Sequence, residues 1–130
     1  MSLLLLDTHA FFWWCVGSDL LSNTTHAELL DSNNTVYVSA VTRWEIGLKE
    51  PKGKWPEAGA LLSGYEALVE SYKFIHLPIT ATHISEMFKF PLSHKDPFDR
   101  LLMAQAVTED LLLVTRDQKI KQILGGRVFW

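Results

Sequence analysis

Two short, unbroken apolar runs constrain this chain more than anything else in it. Leu3-Leu4-Leu5-Leu6 stops at Asp7, and Leu111-Leu112-Leu113-Val114 runs into Thr115-Arg116-Asp117. An apolar run without alternation suits a parallel strand covered on both faces by helices. Both runs are too short to span a bilayer or to form the core of a signal peptide, so the expectation is a soluble, cytoplasmic protein. The segments between them alternate in the same way. Residues 35–39 and 74–77 read as strands, and 127–129 as a last one. Helical spacing is read over 8–15, 24–32, 41–49, 80–88, 97–108 and 118–124, with one long amphipathic helix over 56–72 starting at Pro56. A chain of 130 residues, 48% of them hydrophobic, is enough for one domain with a real core. The expected fold is α/β: a central parallel sheet between two layers of helices, spanning residues 1–130 as a single domain.

In such sheets the functional groups gather beyond the carboxyl ends of the strands. The residues at those ends are acidic. Asp7 closes the first strand and Asp117 follows the strand at 111–114. Glu45 lies on the helix after the strand at 35–39, and the helix at 97–108 opens with Asp96-Pro97-Phe98-Asp99. Singly, each acid has a structural explanation. Asp7, Asp96 and Asp117 each precede a helix and suit an N-cap, and Asp99 would sit in a first turn, where the helix dipole favours an anion. Glu45 lies three residues after Thr42, a capping-box spacing, and four before Lys49, an ion-pair spacing. Taken together they read differently. Ser, Thr or Asn would cap as well, so a carboxylate at each strand end builds negative potential that calls for a cation. Hard oxygen donors with little histidine select Mg²⁺ or Mn²⁺. The sole cysteine, Cys15, excludes an intrachain disulfide and a cysteine-based zinc site, and the five histidines form no pair at zinc-ligand spacing.

Four segments resemble the acidic motifs of the PIN-domain family, and within it the VapC-type toxins of bacterial toxin–antitoxin pairs. They are Leu4-Leu5-Leu6-Asp7-Thr8-His9, Ser39-Ala40-Val41-Thr42-Arg43-Trp44-Glu45-Ile46, Asp96-Pro97-Phe98-Asp99-Arg100-Leu101-Leu102 and Val114-Thr115-Arg116-Asp117. The resemblance covers nearly the whole chain, with the motifs in family order. It implies an α/β/α sandwich and metal-dependent endoribonuclease activity, with Asp7, Glu45, Asp99 and Asp117 as the catalytic, metal-binding carboxylates. It further implies that Thr115 lines the pocket and that Thr8 and Ser39 add hydroxyls. Asp96 matches the subset and not the four general positions, so it is expected as a cap and an accessory acid. The expected chemistry is hydrolysis of RNA by water that a Mg²⁺ or Mn²⁺ ion activates, with no protein nucleophile. The implied partners are RNA, a cognate antitoxin that lays a segment over an apolar groove, and a second copy of the chain.

A formal charge of -3 argues against a broad basic nucleic-acid surface, although setting aside four pocket carboxylates leaves the remainder slightly basic. Phosphate contacts must then come from the rim. Arg43, Lys49, Lys95, Arg100, Arg116 and Lys119 lie near the acidic motifs; Arg116, beside Asp117, is the first choice, then Arg100 and Arg43. His94 is the histidine of most interest, because it precedes Lys95-Asp96. Trp44 is read as core, while Phe11-Phe12-Trp13-Trp14 cannot all face inward from one helix, so part of the run is expected to be exposed or covered by a partner.

Three other readings compete. A receiver-type phospho-acceptor domain has the same architecture, but it wants paired acids after the first strand and an Asp after a central one, and neither is present. A haloacid-dehalogenase-type phosphatase wants an acid where His9 stands. The last is a non-catalytic binding module whose acids only cap helices. A nuclease acting on DNA is the variant of the main reading to be tested.

Overall fold

The computed structural model describes residues 1–50, 53, 57–91 and 94–130. Five strands form one parallel sheet: β1 (Leu3–Leu6), β2 (Thr35–Ser39), β3 (Ile75–Leu77), β4 (Leu112–Val114) and β5 (Val128–Phe129), in the order β3-β2-β1-β4-β5. β1 is central, and Leu4 is in register with Val36 on one side and Leu112 on the other. Its unbroken apolar sequence follows from that position. Side chains alternate across a strand. Leu4 and Leu6 enter a core with Phe11, Val36, Val38 and Val69, and Leu5 enters a second core with Val41, Leu102, Leu113 and Ile120. The fold is a three-layer α/β/α sandwich.

The helices are α1 (Thr8–Val16), α2 (Asn23–Leu30), α3 (Ala40–Lys49), α4 (Ala58–Leu62), α5 (Tyr65–Ser71), α6 (Ala81–Met87), α7 (Pro97–Thr108) and α8 (Gln118–Leu124). The expected elements are present, with boundaries shifted by one or two residues except over 56–72. That single long helix is two short ones in the structure. Gly64, at φ 74°, breaks the path between α4 and α5 by adopting the left-handed conformation that glycine tolerates. Pro56 lies outside the described residues. Among the described residues, no helix is long and apolar enough to cross a membrane.

The topology positions the site. The chain builds β1, β2 and β3 outward in one direction, then returns to add β4 and β5 on the other flank of β1. All strands are parallel, so the carboxyl ends of β1, β2 and β4 lie along one edge of the sheet, next to the crevice where strand order reverses. Backbone bonds tie that edge together. Asp7 N–H donates to the Val114 carbonyl at 3.1 Å, and Thr115 N–H donates to the Phe129 carbonyl at 3.0 Å.

Candidate active site

Each acid is placed by local structure before it is placed by function. Asp7 leaves β1 and caps α1, its Oδ1 accepting from Ala10 N–H at 2.7 Å. Asp96 caps α7, its Oδ1 accepting from Phe98 N–H at 2.9 Å and Asp99 N–H at 3.2 Å. Asp117 caps α8, its Oδ1 accepting from Lys119 N–H at 2.8 Å and Ile120 N–H at 3.2 Å. Asp99 lies in the first turn of α7, and Glu45 projects from the middle of α3. The capping explanation is therefore correct for three of the acids, and it does not compete with the pocket explanation. A cap uses one carboxylate oxygen, and a carboxylate has two.

All five meet in one cavity of about 300 Å³, lined by Asp7, His9, Trp13, Glu45, Lys49, Asp96, Asp99, Thr115, Arg116 and Asp117. Asp7 and Glu45 are buried there. Burial pushes the Asp7 carboxyl up to about 7, with the charges of Asp99 and Glu45 adding to the rise against hydrogen bonds from Thr115 and from Ala10 N–H. Burial likewise raises Asp99 to about 6, helped by Asp96 and Glu45 and opposed by the hydrogen bond and charge of His94. His94, itself buried, sets Nε2 3.1 Å from Asp99 Oδ2. Lys49 donates to Glu45 Oε2 at 2.6 Å. Burial and the nearby Lys49 lower the pKa of His9.

These residues suit a hard divalent cation in donor type: five carboxylates and the Thr115 hydroxyl, with no thiol. They suit it in charge as well, because burial first and neighbouring carboxylates second raise two of the acids above their ordinary range, and a cation would favour their charged forms. Their side chains stand wider apart than a ligand cage. Among the described residues, no three His, Cys, Asp or Glu groups are close enough to hold an ion as placed.

Several expected residues are directed elsewhere. Thr8 Oγ1 and Thr42 Oγ1 are 3.3 Å apart in the interior, because the first turn of α1 packs on α3. Ser39 caps α3 through Val41 N–H at 3.0 Å and donates to Gln105 Oε1 at 2.6 Å, which turns it away from the pocket; Thr42 is therefore not the cap. Arg43 lies 5.8 Å over the Tyr65 ring. Arg100 donates to the Met87 carbonyl at 3.2 Å and stacks on Phe88. Neither arginine lines the cavity, nor do Lys95 and Lys119; of the expected basic residues, Arg116 and Lys49 do. Trp44 is 51% exposed, not core, because the helix turn that buries Glu45 directs its neighbour outward. The aromatic run of α1 divides: Phe11 and Phe12 are buried, while Trp13 and Trp14 are half-buried and pack against the same core. His9 and Trp13 are the pocket residues that sequence reasoning missed. Their i, i+4 spacing on the helix that Asp7 opens places them on one face, and their rings lie 5.4 Å apart.

Comparison with known proteins agrees with this architecture. The family model described as "PIN domain" matches residues 4–125. The chain is 26% identical over 123 residues to a Mycobacterium tuberculosis protein named Ribonuclease VapC22, covering 93% of this chain and 92% of that one. Among solved structures it resembles VapBC2 from Rickettsia felis bound to a DNA fragment from its promoter, with a TM-score of 0.71, 17% identity and 98% of each chain covered. It also resembles DNA-bound VapBC from Salmonella typhimurium, with a TM-score of 0.67, 15% identity, and 99% of this chain and 98% of that one covered.

Proposed function

The chain belongs to the PIN-domain family, and from that premise we propose that it is a Mg²⁺- or Mn²⁺-dependent endoribonuclease, the toxin of a toxin–antitoxin pair. One observation carries the chemistry. Carboxylates from four separate parts of the chain line a single cavity at the carboxyl edge of a parallel sheet. The similarity to a protein named as a ribonuclease supports RNA as the substrate. The similarity to VapBC complexes supports an antitoxin partner.

Asp7, Glu45, Asp99 and Asp117 would hold the ion. When bound, it supplies Lewis acidity toward water and toward the scissile phosphate. The chain's own residues do the rest. The caps of α1, α7 and α8 fix Asp7, Asp96 and Asp117 in direction, and His94 orients Asp99. Thr115 hydrogen-bonds Asp7, and its hydroxyl also accepts from Asp117 N–H at 3.1 Å, which couples two of the acids. Among the described residues that line the cavity, the one hydroxyl is that of Thr115, which is committed between Asp7 and Asp117 N–H, so water is the nucleophile in this reading.

Two protein partners complete it. The groove lined by Cys15, Val16, Leu61, Leu68 and Tyr72 offers an apolar track for an antitoxin segment. The exposed Trp44, Leu48 and Phe88 offer apolar surface for a second copy of the chain. Sedimentation at micromolar concentration tests the dimer, and a monomer counts against it.

The function is tested with purified protein on RNA and DNA oligonucleotides of one sequence. Mg²⁺-dependent cleavage of RNA, lost in Asp7→Asn and in Asp99→Asn while circular dichroism is unchanged, is the expected result. Full activity in either variant or in excess chelator refutes the mechanism, and cleavage of DNA alone refutes the substrate.

A further inference from the structure

An acidic cavity repels a polyanion, so an RNA-cleaving site of this kind needs at least one cation aimed at phosphate. Arg116 and Lys49 are the Arg or Lys side chains that line the cavity among the described residues. Lys49 is engaged with Glu45. Arg116 follows a different rule. Although it neighbours Asp117 in a pocket of five carboxylates, its guanidinium makes no ion pair among the described residues. Its Cζ lies over an aromatic ring instead, 4.5 Å from the Trp13 centroid.

That ring is itself held. Trp13 meets Trp130 edge-on, with centroids 5.9 Å apart and planes at 69°. Both ends of the stack are pinned by backbone. Val114 is in register with Phe129, and Thr115 N–H donates to the Phe129 carbonyl at 3.0 Å, so the residues that follow each of them, Arg116 and Trp130, leave the sheet side by side. Trp13 enters between them from α1, the helix capped by Asp7.

We infer that Trp13 and Trp130 are positioning residues for Arg116, holding its guanidinium as the cation that receives the RNA phosphate at the mouth of the acidic cavity. The inference rests on the ribonuclease reading above and adds to it what aims the substrate. A guanidinium set over a ring is held by its charge and keeps N–H donors away from the ring for a phosphate, in the fork geometry that lysine lacks. It also keeps the cation from folding back onto Asp117, where an ion pair would cancel it.

The test uses the full chain and a labelled single-stranded RNA, with KM and kcat measured across a salt series. Trp13→Leu and Trp130→Leu are each expected to raise KM roughly two- to fivefold, the scale of a lost cation–π contact. Arg116→Ala is expected to raise KM further and to flatten the salt slope by up to about 1. Trp13→Phe, which keeps an aromatic face, should recover most of the loss. In an Arg116→Ala background, Trp130→Leu should add nothing. Native KM and salt slope in the tryptophan variants, or an equal loss with and without Arg116, overturns the inference. Should a tryptophan variant fail to fold, Arg116→Lys at an exposed position decides the matter: it keeps the charge and weakens the stack, and native KM in that variant overturns the inference. If the native chain neither binds nor cuts RNA, the ribonuclease reading falls and takes the inference with it; RNA cleavage with a KM indifferent to these residues overturns the inference alone.

Discussion

Lys49 places its ammonium 2.6 Å from Glu45 Oε2, one turn further along α3, inside the acidic cavity. Glu45 is almost wholly buried, so this contact supplies positive charge to a carboxylate that water does not reach. A divalent ion in the same cavity would compete with it. Lys49→Met should therefore destabilise the ion-free protein by about 1–3 kcal/mol, the cost of orphaning a buried acceptor. Mn²⁺ should restore much of that loss. Thermal melts with and without MnCl₂ check this, and an ion-induced rise no larger in the variant than in the native chain contradicts it.

Asp7 makes stability depend on pH in an unusual direction. Its carboxyl is raised from an ordinary 3.8 to about 7 in the folded chain, so folding favours the protonated form. The stability this contributes is complete below the unfolded value and lost as pH rises through about 7. The native protein should melt at lower temperature at about pH 8 than at about pH 5 in the absence of divalent ions. Asp7→Asn keeps an oxygen for Ala10 N–H and removes the charge, so it should flatten the dependence and melt higher than native at about pH 8. A steeper profile in the variant would contradict the burial of Asp7.

Metal addition should act on the same buried carboxyl. Mn²⁺ or Mg²⁺ bound there would offset the burial and the neighbouring carboxylate charge that raise Asp7 and Asp99, so native Tm should increase with ion concentration at neutral pH. Asp99→Asn should reduce the increase. An identical rise in native and variant, followed by differential scanning fluorimetry, would mean that the ion binds elsewhere.

Ser39 separates a structural role from a pocket role. Its hydroxyl is buried, donates to Gln105 Oε1 at 2.6 Å and caps α3, and Gln105 passes the connection to the Pro78 carbonyl at 3.2 Å. Ser39→Ala should cost about 1–3 kcal/mol of stability by leaving these groups short of a partner. Below the melting temperature, kcat should stay within about twofold of native. A large fall in kcat with an unchanged Tm would return Ser39 to the pocket.

Cys15 should be inert. Burial pushes its thiol up to about 12, so almost no thiolate exists at neutral pH. Titration with a thiol-specific disulfide reagent should be slow in the folded chain and complete after denaturation. Rapid reaction with the native protein would contradict this.

The parts of the molecule that could be read from residue order are those written locally. Unbroken apolar runs announced β1 and β4, and β-branched and aromatic residues announced β2, because a strand's exposure pattern is printed in its own residues. The acids were visible for a related reason: each stands at a strand end or a helix start, and parallel strand ends share an edge. Asp7, Asp96, Asp99 and Asp117 line the cavity from such positions, with Arg116 beside the last of them, while Thr115 is legible only through the family resemblance and Glu45 through its motif.

What could not be read was the direction of each side chain. Arg43 and Arg100 are as near the acidic motifs in sequence as Arg116, yet they stack on Tyr65 and Phe88. Thr8 and Ser39 carry the hydroxyls expected of the pocket, yet Thr42 and Gln105 take them. Trp44 looks like core and is exposed, and Gly64 divides what periodicity reads as one helix. Proximity along the chain sets which residues arrive at an edge. The rotational phase of each helix and the partners waiting on neighbouring elements decide which of them face the cavity, and those partners, among them Trp130 behind Trp13, come from remote segments that only the folded chain brings together.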